Sequence, residues 1–192
     1  MKALDLPQYK EIYEFVIDRF SALFKTSIER SKALIKKYFM DRLIILVDKL
    51  AHYPEYQKAL LDFILEENLD LNKQFNDDSV IVTYIRLLCK SHEQSDHDRI
   101  LYLLQNFKYP LDECIKVCAE YKVKEPWAYL ETKRGGYPKA LELHHQILED
   151  TIQDYSRTQD ASLLNKLDEH IMAIYSILEL CHDSNQKVIF DY

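Results

Sequence analysis

The stretch of sequence that decides the fold is YKVKEPWAYLETKRGGYPKALEL, residues 121–143. Both glycines of the chain, Gly135 and Gly136, stand in it side by side. Glycine adopts positive φ at little cost, so one helix can end there and the next can fold back against it. Pro126 and Pro138 each suit the first turn of a helix, where the missing N–H is no loss. The pattern predicts helix, tight turn, helix, which is the repeating unit of an α-solenoid.

The two helices around this turn carry an aromatic and aliphatic seam. We expect Gly135 or Gly136 to end the first helix in the left-handed conformation. We expect the side chains on either side of the turn to pack together as one layer of the solenoid, with the tryptophan largely buried. The predicted seam consists of Trp127, Tyr129, Leu130 and Leu141.

The composition favours an all-α protein. The 192 residues include 2 Gly and 5 Pro, too few turn residues for a β-sandwich or a Rossmann fold. Apolar residues recur with the 3.6-residue helical period, and the region 26–51 is either one helix or two that split near Met40. A capping box at Thr26–Glu29 begins this region. The periodicity predicts about nine antiparallel helices, at about 7–24, 26–51, 54–67, 77–90, 95–107, 110–121, 126–134, 138–155 and 162–182.

We predict that residues 1–192 form a single α-solenoid segment. The last residues, Val188, Ile189 and Phe190, are apolar and are not followed by the polar cap that a solenoid end requires. The chain is therefore expected to be a fragment of a longer array.

The charge pattern argues against nucleic acid as a partner. The formal net charge is −7, with a net +3 in residues 1–50 and −10 in the remainder. Phosphate binding needs a basic surface, and the acidic balance of the chain as a whole disfavours it. No run of 18 apolar residues exists, so no transmembrane segment is predicted. Four cysteines at 89, 114, 118 and 181 form no Cys-x-x-Cys motif, and we expect reduced, buried thiols in a cytoplasmic protein.

Two Glu-x-x-His pairs are the strongest candidates for chemistry. Glu142/His145 and Glu179/His182 have the spacing with which ferritin-like bundles hold two metal ions. Helical geometry turns both pairs away from the expected core, whose faces we place on two stripes. A structural role is therefore preferred, and no metal, cofactor or catalytic residue is predicted. The stripes are Ala140, Leu141, His144, Ile147, Leu148 and Ile152 on one helix, and Leu167, Ile171, Ile174, Tyr175 and Leu178 on the other.

Three further features have structural interpretations. Cys114 and Cys118 share one helix face and fit a core position better than a ligand pair. His144 is expected to face the core and His145 the solvent, which argues against a site that both share. A basic side of the second helix is a possible interaction surface for an acidic partner or an anionic membrane, although charged helix sides are usually only solvated. Its residues are Arg30, Lys32, Lys36, Lys37 and Arg42.

Residues 103–148 resemble clathrin-heavy-chain-type helical repeats. The resemblance is carried by Leu111–Cys118, Tyr121–Val123, Ala128–Glu131, Gly135 and Lys139–Leu143. It is closest to the C-terminal solenoid of the vacuolar-protein-sorting subunit-eight family, which belongs to the CORVET tethering complex. The chain departs from that family at Trp127 and Gly136, and it lacks the family's β-propeller and its zinc-binding RING-type domain.

The resemblance implies a scaffold that is not an enzyme and acts in vesicle-mediated protein transport. Its implied partners are other proteins, either tethering-complex subunits or a small GTPase. Its implied location is cytoplasmic and peripheral to endosomal membranes. The related HOPS subunits and clathrin share the repeat and stay open as alternatives. So do a generic tetratricopeptide-like adaptor outside membrane traffic and a helical-bundle metalloenzyme that uses the two Glu/His pairs.

Overall fold

A computed structural model describes residues 14–67, 79–91 and 93–183, and these ranges are helical and contain no strand. After a helical segment at 14–18, the elements are α1 Phe20–Thr26, α2 Ile28–Tyr38, a 3₁₀ turn Met40–Arg42, α3 Leu43–Lys49, α4 Pro54–Glu66, α5 Ser79–Ser91, α6 Gln94–Asn106, α7 Leu111–Tyr121, α8 Lys124–Arg134, α9 Tyr137–Thr158 and α10 Ser162–Asp183. The all-α class predicted from the sequence is confirmed.

Local signals account for most of these boundaries. Pro54 opens α4, and Pro138 lies in the first turn of α9. The region 26–51 is split, because α2 ends at Tyr38 and a 3₁₀ turn separates it from α3. The predicted capping box is wrong by one residue. Ser27 caps α2 by accepting from the backbone N–H of Arg30, while the Thr26 hydroxyl donates back to the carbonyl of Ala22.

The chain divides into two compact units, Met1–Leu87 and Leu88–Tyr192. In the first unit α1, α2, α3 and α4 pack on one another around aromatic and aliphatic side chains. Gln57 is buried there and donates to the carbonyl of Val47 at 3.1 Å. The fully buried side chains of this unit include Phe20, Phe24, Ile35, Leu46, Leu60, Ile64 and Tyr84.

In the second unit consecutive helices pack as neighbours, α7 on α8, α8 on α9 and α9 on α10, and α6 also contacts α8. Its core includes three thiols, Cys89, Cys114 and Cys118, which are fully buried. All four cysteines of the chain are free and buried. Among the described residues, no helix combines the length and apolar character needed to cross a bilayer.

The predicted core face of α10 is wrong. Ile171, Tyr175 and Leu178 are 41%, 59% and 38% exposed. The buried side is instead formed by His170, Ile177 and Cys181. Its centre lies about 140° around the helix from Tyr175 at 100° per residue. Helix α10 has apolar residues on both sides. Packing against α9 buries the side that contains His170.

The predictions for residues 7–13, for the loop at 68–76 and for the apolar end at 188–190 concern positions outside the described residues. The prediction of one solenoid segment over 1–192 stays a prediction.

Candidate functional site

A groove of about 590 Å³ lies in the second unit. Alternate helices make it: α6 and α10 are its walls, α8 is its floor, and α9 adds His144. Its lining residues are Gln94, Asp98, Leu101 and Gln105 from α6, Glu125, Tyr129 and Thr132 from α8, and Ser162, Asn165, Lys166, Glu169, His170, Ala173, Ser176, Ile177 and Leu180 from α10.

The Glu125 carboxylate ties the three helices together at one end of the groove. Its Oε1 lies 2.5 Å from Lys166 Nζ and 3.6 Å from His170 Nε2, both on α10. Its Oε2 accepts from Gln94 Nε2 on α6 at 3.3 Å. Because Glu125 and Gln94 lie in the first turns of their helices and Lys166 in the second turn of α10, these helix starts meet at the same end of the groove.

The surroundings of Glu125 keep it ionised. Burial opposes the charged form, but hydrogen bonds from His170 and Lys166, together with their positive charge, lower its pKa to about 2. Its place in the first turn of α8 is also favourable, since the helix dipole stabilises negative charge there. The floor of the groove therefore holds a fixed ion pair.

Two buried histidines extend this polar chain toward α9. His144 Nδ1 lies 3.1 Å from His170 Nδ1, and the ring centroids are 5.3 Å apart. Burial, and then the neighbouring His170, lower the pKa of His144 to about 4 against the opposing charge of Glu125. His144 is therefore neutral at physiological pH, and Glu125, His170 and His144 form a carboxylate–imidazole–imidazole chain.

A third histidine stands close to this chain on α6. The Nε2 atom of His97 is buried and has no hydrogen-bond partner within the described part of the molecule. Burial lowers the pKa of His97, and the nearby charges of Glu125 and Lys166 act on it in opposite directions. His97 is thus favoured in its neutral form.

The chemistry that the groove offers is recognition of polar and charged groups. A nucleophile activated by a histidine needs a hydroxyl or thiol hydrogen-bonded to the ring, whereas the two ring nitrogens of His170 lie against His144 Nδ1 and Glu125 Oε1. The same residues contain no cluster of three or more potential metal ligands. The thiols are buried, and burial raises the pKa of Cys114 to about 12.

The two Glu/His pairs singled out in the sequence are not brought together. Glu142 pairs with Lys139 Nζ at 2.9 Å, and the exposed His145 lies 3.8 Å from Glu149. Glu179 and His182 lie on the surface of α10 beside Tyr175 and Leu178. As expected, His144 is buried and His145 exposed.

The basic residues of α2 are largely committed to neighbours within the first unit. Lys32 pairs with Glu29 at 3.2 Å, Lys36 with Glu67 at 2.5 Å and Arg42 with Asp41 at 3.6 Å. Lys37 lies over the ring of Tyr38. Together with Arg30 they occupy the solvent side of the helix and its 3₁₀ extension, and their positive charge is mostly balanced locally.

The two glycines serve different purposes in the turn between α8 and α9. Gly135 ends α8 at φ +83°, in the left-handed region. Gly136 has negative φ, but a Cβ added there would lie 2.5 Å from Oε2 of Glu131. Gly135 is therefore needed for its left-handed backbone conformation, whereas Gly136 is needed because a larger residue would collide with a side chain.

That side chain, Glu131, is 3% exposed and holds the end of α8 together. It accepts from Trp127 Nε1 at 2.9 Å and from Arg134 Nη2 at 2.6 Å. Trp127 is of intermediate burial, and its ring lies 5.0 Å from Lys139 Nζ. Tyr129 is half-buried and Leu130 fully buried.

On the other side of the turn, Leu141 packs against a small cluster that joins α9 to α10. That cluster consists of Ala140, Ile177 and Cys181, with Tyr137 and Leu141 against it.

The sequence pattern alone did not identify Glu125, Lys166, His170 or His97 as site residues. They are spread over 74 positions on three helices and form no motif. The only local signal is His170 itself, which interrupts an otherwise apolar side of α10. Comparison with known proteins adds no assignment, since no protein-family model, no curated protein and no solved structure matches the chain.

Proposed function

We propose that this chain is a protein-binding helical scaffold, arranged as an α-solenoid segment of an endosomal tethering subunit. The observation that carries the binding role is the groove lined by α6, α8 and α10. Every second helix contributes to this one surface. Helical-repeat proteins build their extended binding faces with the same geometry. The groove has a fixed ion pair and no activated nucleophile among the described residues, which suits recognition better than catalysis.

The assignment to vesicle-mediated protein transport rests on the repeat-like residues between Leu103 and Leu148. In this proposal the partners are other subunits of a tethering complex of CORVET type, or a small GTPase. The scaffold is then cytoplasmic and reaches endosomal membranes peripherally through those partners. The basic side of α2 is a secondary candidate surface, weakened by the local ion pairs of Lys32, Lys36 and Arg42.

The proposal is tested by affinity purification from cells of the organism that encodes the chain, with quantification of tethering subunits and Rab-type GTPases. The groove is blocked with Ser176→Trp, which places a large ring at an exposed lining position. Ser156→Trp, at an exposed position of α9 outside the groove, is the matched control. We expect these proteins to be enriched with wild type and Ser156→Trp and lost with Ser176→Trp.

Two results would contradict this proposal. Absence of every tethering subunit and GTPase from the wild-type purification removes the membrane-traffic role and leaves the generic adaptor. Equal recovery with Ser176→Trp and Ser156→Trp removes the groove as the binding surface. Circular dichroism of both variants establishes that each has kept its helical content.

A further inference from the structure

The groove is chemically different at its two ends. At the end where α6, α8 and α10 begin, the lining is polar and charged, with Asp98, Glu125, Lys166 and Glu169. Toward the other end of the same helices the lining carries no charge, and Leu101, Ala173, Ile177 and Leu180 add apolar surface among the polar Gln105, Thr132 and Ser176. An occupant must therefore be amphipathic along its length.

The charged end carries excess negative charge. Lys166 is already engaged by Glu125. Asp98 on one wall and Glu169 on the other are exposed and form no ion pair within the described residues. Two acidic side chains without an ion-pair partner among the described residues thus line this end of the groove, one from α6 and one from α10, and a cation bound there gains from their negative charge.

The shape of the groove favours an elongated occupant. Its lining residues recur along α10 from Ser162 to Leu180, which is about 27 Å at the rise of an α-helix. Leu180 is 45% exposed at the apolar end, so apolar surface is open there to a partner. A long, open channel between two helices fits the apolar face of a third helix.

We propose that the groove binds an amphipathic helix of a partner protein. Its apolar side chains lie against Leu101, Ile177 and Leu180, and lysine or arginine at one end of it lies between Asp98 and Glu169. This inference rests on the proposed protein-binding function and specifies the chemistry of the partner. Apolar contact supplies most of the affinity. The charges fix the orientation of the bound helix and make the groove prefer a basic helix to an acidic one.

The test is selection of binders from a displayed library of helical peptides on the full chain. We expect enriched peptides to combine an apolar stripe with lysine or arginine clustered at one end. Synthetic copies of the enriched peptides are then measured by titration calorimetry. We expect Glu169→Lys and Ser176→Trp each to weaken binding at least tenfold, and binding to weaken as salt rises.

The matched control is Asp168→Lys, which makes the same charge reversal one position away, at an exposed residue outside the groove lining. The affinity of Asp168→Lys for the enriched peptides should stay within about twofold of that of wild type. Failure to enrich any peptide, enrichment of acidic peptides, or equal effects of Glu169→Lys and Asp168→Lys would each overturn the inference.

The failure of this inference is distinguishable from failure of the proposed function. If tethering subunits co-purify in a groove-dependent way but cross-linking maps no basic helix to Asp98 and Glu169, the function stands and this partner chemistry is wrong. If basic helical peptides bind the groove but no tethering subunit co-purifies, the groove chemistry stands and the tethering role is wrong.

Discussion

His144 Nδ1 and His170 Nδ1 lie 3.1 Å apart in the interior of the second unit, so the two imidazoles share at most one proton between these atoms. A second proton there would set two N–H donors against each other. Burial, and then His170, lower the pKa of His144, while the charge of Glu125, which lies 3.6 Å from His170, acts against them. This relationship ties α9 to α10 and makes their packing sensitive to acid.

The first prediction concerns that acid sensitivity. His144 has a folded pKa of about 4, below its ordinary 6.5. The unfolded chain therefore binds the proton first as the pH falls. The free energy of unfolding therefore carries a contribution from neutral His144 that is complete above pH 6.5 and is lost as the pH falls from 6.5 to 4. This contribution amounts to roughly 3 kcal/mol. His144→Gln keeps a hydrogen-bonding side chain but cannot titrate. Urea unfolding between pH 4.5 and 7.5 should show a flatter dependence for this variant.

His145→Gln is the control for this experiment, because it removes a neighbouring histidine that is exposed. Its unfolding free energy should follow the same pH dependence as wild type. An unchanged slope in His144→Gln would show that the buried pair does not govern acid stability.

The second prediction compares two ion pairs of equal length and unequal burial. Lys166–Glu125 and Lys124–Asp150 are both 2.5 Å long, but Glu125 is 15% exposed and Asp150 is 60% exposed. Lys166→Met leaves a buried carboxylate without its cation and should cost about 1–3 kcal/mol of unfolding free energy. Lys124→Met should cost less than about 1 kcal/mol. Equal costs, measured by urea denaturation at pH 7, would contradict the described burial.

The third prediction separates the roles of the two glycines. Gly136→Ala pushes a methyl group into the Glu131 carboxylate and should cost about 1–3 kcal/mol, because that carboxylate holds Trp127 and Arg134. Gly135→Ala meets no atom within 4 Å but strains a left-handed residue, at about 1 kcal/mol. Adding Glu131→Ala should make Gly136→Ala nearly neutral and leave the cost of Gly135→Ala unchanged. Additive costs in both double variants would refute this division of roles.

The fourth prediction concerns the single tryptophan. Trp127→Phe keeps an aromatic ring under Lys139 but removes the N–H that donates to buried Glu131. We expect a loss of about 1.5–3 kcal/mol, as for a hydrogen bond to a charged group. Thermal unfolding followed by circular dichroism measures it. Tyr129→Phe, which keeps the ring and removes only a hydroxyl, is the comparison, and an equal loss in both would argue against the Glu131 contact.

The fifth prediction concerns thiol reactivity. Hydrogen bonding to Cys89 and burial raise the pKa of Cys118, and burial raises that of Cys114. Little thiolate therefore exists at neutral pH, and alkylation of these cysteines in the native protein should be slow. Four thiols should react in denaturant. Mass spectrometry after timed iodoacetamide labelling reports each site, and rapid native labelling of Cys114 or Cys118 would contradict their burial.

Much of the fold was predictable from short-range signals. Pro54, Pro138 and the glycine pair mark helix ends through effects that act within one turn. The end of α9 was harder: it was predicted at about residue 155, but the helix runs to Thr158 and is capped by Gln159 at φ +56°. The end of α7 at Tyr121 was predicted correctly, although its cap, Lys122, also has φ +56°. Neither residue type announces a left-handed conformation. The candidate site was not predictable, because Glu125, Lys166 and His170 become neighbours only when α6, α8 and α10 are placed side by side.

The sequence by itself determined that the described residues are all-helical, that Pro54 and Pro138 lie at helix starts and Gly135 at a helix end, and that His144 faces inward while His145 does not. These properties follow from backbone conformation and from a clear apolar periodicity within one helix. Only the tertiary structure decided which side of α10 is buried. That helix offers Ile171, Tyr175 and Leu178 on one side and Ile177 and Cys181 on another. Packing against α9 buries the second side, because His144 there provides a hydrogen-bonding partner for His170.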